Sequence, residues 1–133
     1  MYSSVVIDED SLPIISYFDD SNDSLKVGHC DTALCSRSTL TTVETDGVGQ
    51  YTSIVIGNSG PLVISYFDKV NDGLMFAEFE DEDCKEVKIT RVDQAGDVGS
   101  YTSMAIGLDD LSIISYYDET NVTLKMVHCS EDD

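Results

Sequence analysis

The chain has 133 residues, 26 of them acidic and 7 basic, a formal net charge of −19 and no tryptophan. Its length suits one ordinary domain and excludes two large ones. The charge argues against nucleic acid, because a phosphate backbone is held by neutralising it with Lys and Arg, and against anionic membranes for the same reason.

Taken in order, the chain repeats itself. Tyr2 to Asp19 reads YSSVVIDEDSLPIISYFD, Tyr51 to Asp68 reads YTSIVIGNSGPLVISYFD, and Tyr101 to Asp118 reads YTSMAIGLDDLSIISYYD. Tyr2, Tyr51 and Tyr101 are 49 and 50 positions apart, as are Tyr17, Tyr66 and Tyr116. The odd residue falls in a loop, where insertion is tolerated; inside a strand it would turn every side chain to the opposite face.

The second copy shows the unit most fully. A first strand is predicted over Tyr51–Ile56, closed by the hairpin signal Gly57-Asn58-Ser59-Gly60. A second strand, Leu62–Phe67, is an almost unbroken apolar run, as for a strand covered on both faces. After the turn Asp68 to Gly73 comes a third strand, Leu74–Phe79, then an acidic turn, Glu80 to Asp83, and a fourth strand, Glu86–Val92. The return link, Asp93 to Gly99, is longer and carries glycine. Nothing holds helical spacing long enough to compete.

Four short strands per roughly 50 residues, repeated, are the signature of β-propeller blades. The expected fold is all-β, a single repeat domain with blades at about 2–46, 51–93 and 101–130, the third without its outer strand. Three blades do not close a ring, whereas single-chain propellers have about 4–8. A homodimer closing a six-bladed ring is the expected assembly, C2 being the commonest symmetry; the rival reading is a piece of a longer repeat protein. No apolar run approaches the ~20 residues that span a bilayer, and the N-terminus shows no secretory signal.

The repeat resembles one found in uncharacterised bacterial and environmental tandem-repeat proteins. The stretches that carry the resemblance are YTSIVIG and YTSMAIG, LPIISYFD, LKVGHC and LKMVHC, and LTTVETDGVGQ. The resemblance covers essentially the whole chain, implies a propeller-like fold and brings no agreed activity. The tryptophan-bearing sialidase-type box and the WD and kelch signatures are absent.

Several constellations are candidates for chemistry. Asp and Asn recur three apart in the second-to-third turns: Asp19 and Asn22, Asp68 and Asn71, Asp118 and Asn121. Such residues bond nearby backbone amides and favour tight turns; the alternative is one calcium-type site per blade, built on carboxylate and amide oxygens. The return links carry Gln50 and Tyr51, and Ser100 and Tyr101, and should emerge at the same end of the ring as the Asp-bearing turns. A ligand is therefore expected near Gln50, Tyr51, Ser100, Tyr101, Asp19, Asp68 and Asp118, although glycine and tyrosine could equally serve only the crossover. Cys30 and Cys35 flank a four-residue loop and are predicted to form a disulfide, leaving Cys84 and Cys129 as thiols. Such a bridge suits an extracellular or periplasmic setting. His29 and His128 read as ordinary strand residues.

No nucleophile elbow, phosphate loop or zinc-protease motif is present. The favoured reading is a non-enzymatic module that binds a glycan, a peptide or a small polar ligand, with repeated sites adding avidity. The alternatives are a carboxylate-based hydrolase or lyase at the channel mouth, and a structural assembly with no small ligand.

Overall fold

The computed structural model describes residues 2–58, 60–80 and 86–129. Cys84 and most of the acidic turn that precedes the fourth strand of the second repeat lie outside the described residues, within which every regular element is a strand. The first sheet comprises β1 (Ser3–Ile7), β2 (Pro13–Asp19), β3 (Ser24–Cys30) and β4 (Ser38–Glu44). The second comprises β5 (Val48–Ile56), β6 (Leu62–Asp68), β7 (Gly73–Phe79) and β8 (Val87–Asp93). The third comprises β9 (Val98–Ile106), β10 (Ser112–Asp118) and β11 (Thr123–His128). Within each sheet the strands lie in chain order and neighbours are antiparallel, so each repeat folds as a meander of hairpins.

The sheets pack on one another through their first strands. β5 lies against β1, β2 and β3 of the first sheet, and β9 lies against β5, β6 and β7 of the second. One core fills the first seam, with Leu25, Val27, Ile54, Ile64 and Tyr66 among its buried members. The other fills the second seam, with Val63, Leu74, Val98, Met104 and Ile114. Fully burying a side chain such as Ile64 or Leu74 stabilises by about 1.5–3 kcal/mol. All seven residues of β6 are buried, the burial that the unbroken apolar run of the middle repeat predicts. The arrangement is propeller-like.

β5 and β9 begin earlier than the sequence suggests, at Val48 and Val98, and the reason is local. Pairing of β5 with β6 steps from Val48–Asp68 to Gln50–Phe67 and then to Ser53–Ser65, so two extra residues bulge from β5. β9 repeats the shift. Gly49 and Gly99 take φ values of +110° and +108°, and a Cβ on either would sit 2.9 and 2.7 Å from the Cα of Leu25 and Leu74. Glycine is needed there because the link passes directly over the third strand of the preceding sheet. Cys30 and Cys35 are disulfide-bonded across the β3–β4 loop, with Cα atoms 4.8 Å apart.

Candidate functional site

The return links and the second-to-third turns meet at one end of the molecule. The Gly47 amide donates to the Asp23 carbonyl at 2.9 Å, and the Val98 amide to the Asp72 carbonyl at 3.1 Å. The Asp97 amide donates to Thr120 Oγ1 at 2.8 Å, so the second link is held between the turns of the second and third sheets.

Just inside that end, the bulges of β5 and β9 place Tyr51 and Tyr101 beside Tyr2, which precedes β1, so three tyrosines lie side by side. Tyr51 and Tyr101 adopt φ of +53° and +54°, a left-handed conformation that costs a non-glycine residue roughly 1–2 kcal/mol. The Tyr2 and Tyr51 ring centroids are 4.3 Å apart, and those of Tyr51 and Tyr101 are 4.5 Å apart. Phe67 and Tyr117 meet the stack edge-on. The rings, with Ser3, Thr52 and Thr102, line an open cleft of about 380 Å³. Hydrogen bonding to Tyr2, then burial and hydrogen bonding to Tyr101, raise the pKa of the Tyr51 phenol, so the central ring of the stack keeps its proton at physiological pH. The cleft thus offers ring surface and hydroxyls without charge, in a chain that is otherwise strongly acidic.

Other sequence candidates fall elsewhere. Gln50 is half-buried, and Ser100 is buried with its hydroxyl unpaired. Asp68 and Asp118 are buried, and neither they nor Asp19 line the cleft. Their carboxylates serve their own turns: the amides of Asn22, Asn71 and Asn121 donate to Asp19, Asp68 and Asp118 Oδ2, each at 2.8 Å. The remaining oxygens accept backbone amides from Ser21, from Val70 and Asn71, and from Asn121. Lys26 also reaches Asp19 at 2.8 Å, and with the Asn22 bond it holds that carboxyl down at about 2. Among the described residues no group of three or more His, Cys, Asp or Glu side chains converges as a metal site.

Sequence reasoning left Tyr2, Ser3, Thr52 and Thr102 out of the site. The signal was present, since Tyr2 shares the repeat position of Tyr51 and Tyr101. At the opposite end, His29 pairs with Asp8 and His128 with Asp109, both at 2.9 Å. The sequence gives no hint of these pairs, because partner and histidine lie 21 and 19 positions apart in different strands and turns.

The seams carry polar anchors as well. Tyr66 donates to Glu44 across the first seam, and Tyr116 donates to Asp93 at 2.7 Å across the second, where Lys125 also bonds Asp93. Burial, the largest single influence on Asp93, opposes its charge, but the bonds from Lys125, the Ala95 amide and Tyr116 together outweigh it and hold the carboxyl below its usual range.

Comparison with protein families finds no match for the chain, and neither does comparison with curated proteins. Among solved structures, it is similar to a fucose lectin from Kordia zhangzhouensis in complex with methyl-fucoside. The TM-score is 0.60 at 11% identity, over 97% of this chain and 92% of that one. At that identity the likeness concerns the fold.

Proposed function

We propose that the chain is a non-enzymatic binding module whose ligand is a glycan, taken up in the tyrosine-lined cleft, and that two copies assemble as a six-bladed ring. The observation that carries the reading is the triple stack of Tyr2, Tyr51 and Tyr101, two of them in costly left-handed conformations. Backbone strain of this kind persists only where the surroundings impose it, and it gathers at functional sites. Tyrosine combines a flat apolar body with a polar tip, which suits a sugar's apolar ring face and its hydroxyls together. A similarly shaped chain is a fucose lectin, which favours a sugar over a peptide. The turn carboxylates are engaged in their own backbone, which leaves the hydrolase reading without a free acid–base pair. Fold alone does not decide function, so the site bears the weight.

The chain has no tryptophan, so its emission comes from seven tyrosines, three of which, Tyr2, Tyr51 and Tyr101, line the cleft. Titration with methyl-fucoside and a panel of other methyl glycosides is expected to give a saturable change for at least one sugar, lost in a Tyr51→Ala/Tyr101→Ala variant. No response to any sugar, or an undiminished response in that variant, contradicts the reading.

A further inference from the structure

We infer that the uncovered face of the first sheet and the uncovered face of the third are two halves of one more seam, which a second copy of this chain completes in the register of the internal seams. This rests on the ring assembly proposed above and adds which faces meet and through which atoms.

The two internal seams supply the template. Ser4 Oγ accepts the Ile54 amide at 3.1 Å across the first, and Ser53 Oγ accepts the Met104 amide at 3.1 Å across the second. Thr52 Oγ1 donates to Ser16 Oγ, and Ser65 Oγ donates to Thr102 Oγ1, both at 2.9 Å. In the repeat, Ser103 stands where Ser4 and Ser53 stand, and Val5 where Ile54 and Met104 stand. Ser115 likewise matches Ser16 and Ser65, and Ser3 matches Thr52 and Thr102. Each half of a third seam is therefore present, at opposite ends of one chain.

Exposure marks the same two faces. Val5 is 58% exposed, whereas its counterparts Ile54 and Met104 are 3% and 8% exposed. Leu124 is 75% exposed, whereas Leu25 and Leu74 are fully buried. Met126 and Ile7, on the same faces as Leu124 and Val5, are also exposed. The two faces are apolar and hydroxyl-bearing in a chain of charge −19, so the carboxylates that keep copies apart elsewhere do not oppose contact here. Each copy would offer its first sheet to the third sheet of the other, giving two equivalent seams about one axis. Ser103 Oγ of one copy then accepts the Val5 amide of its partner.

The test is solution mass by light scattering on the full chain, with far-UV circular dichroism to confirm folding. The wild type is expected at about twice 14.6 kDa. Val5→Glu and Leu124→Glu lie on the surface of the single chain and should each fold and each reduce the mass to one chain. Ser103→Ala, which removes only a hydroxyl, should raise the dimer dissociation constant about fivefold for each of the two seams. A wild-type dimer that survives Val5→Glu or Leu124→Glu overturns this inference and leaves the dimer itself standing with other faces in contact. An unchanged dissociation constant in Ser103→Ala overturns the register. A folded wild-type monomer overturns both the inference and the ring, while glycan titration remains a separate matter.

Discussion

β6 and β10 carry nearly the same residues, LVISYFD and SIISYYD, yet β6 is buried along its whole length and β10 is buried only at alternate positions. β7 and β11 differ further: Leu74 is inaccessible to solvent, while Leu124, at the same repeat position, is exposed. Within a sheet the hydrogen-bonded register is the same in both cases. What differs is the neighbour. Among the described residues, the second sheet has the first on one face and the third on the other, whereas the third has only the second. Burial here is a property of stacking between repeats, as in repeat proteins generally, where each unit relies on those beside it.

That comparison is sharpest at the two leucines. Leu74→Ala is expected to destabilise by about 2–5 kcal/mol in urea titration, through lost burial and a residual cavity. Leu124→Ala should change single-chain stability by less than about 0.5 kcal/mol. Its cost should grow with chain concentration as copies associate. Equal costs for the two at low concentration would break the comparison.

A smaller effect separates two tyrosines. Tyr66 is buried and donates across the seam to Glu44, and burial first, then that bond, raises its pKa. Tyr17, at the same repeat position in the first sheet, is half-buried, and among the described residues no sheet packs on its face. Removing the hydroxyl in Tyr66→Phe should cost about 1.5–3 kcal/mol, as for a bond to a charged group. Tyr17→Phe should cost within about 0.5 kcal/mol in the single chain.

The mildest contrast is with acid. Asp19 has its carboxyl held at about 2 by Lys26 of its own sheet, while Asp93 is held low, against its burial, by several bonds that include one from Lys125 of the next sheet. Both folded pKa values lie below the unfolded value of about 3.9, so the unfolded chain takes up protons first as pH falls. The stability each supplies is complete above about pH 5 and is lost as the pH falls through the folded value. Asp19→Asn should flatten the stability curve between about pH 4 and pH 2. Asp93→Asn should do so too, and should also loosen the second seam, seen as faster amide exchange in β9.

Much of this was legible in the residues. The tyrosine spacing and the Gly57–Gly60 turn mark repeats and hairpins because strand alternation and turn chemistry are local. The early starts of β5 and β9 were not legible, because the bulges depend on Gly49 and Gly99 crossing Leu25 and Leu74, which are distant in sequence. The cleft was half legible: Tyr51 and Tyr101 stood out beside their glycines, while Tyr2, lacking such a link before it, did not. The exposure of Val5 and Leu124 was not legible locally, since their surroundings in sequence match those of buried counterparts; only the count of three blades, too few to close a ring, points to open outer faces. Only stacking distinguishes them.

The most direct measurement compares two amides in the wild-type chain by hydrogen exchange, that of Val5 in β1 and that of Ile54 in β5. If the outer faces join as the internal ones do, Val5 should be protected nearly as well as Ile54 at high chain concentration and should lose that protection on dilution. Val5 exchanging as an open edge at every concentration, with Ile54 protected throughout, would contradict the account.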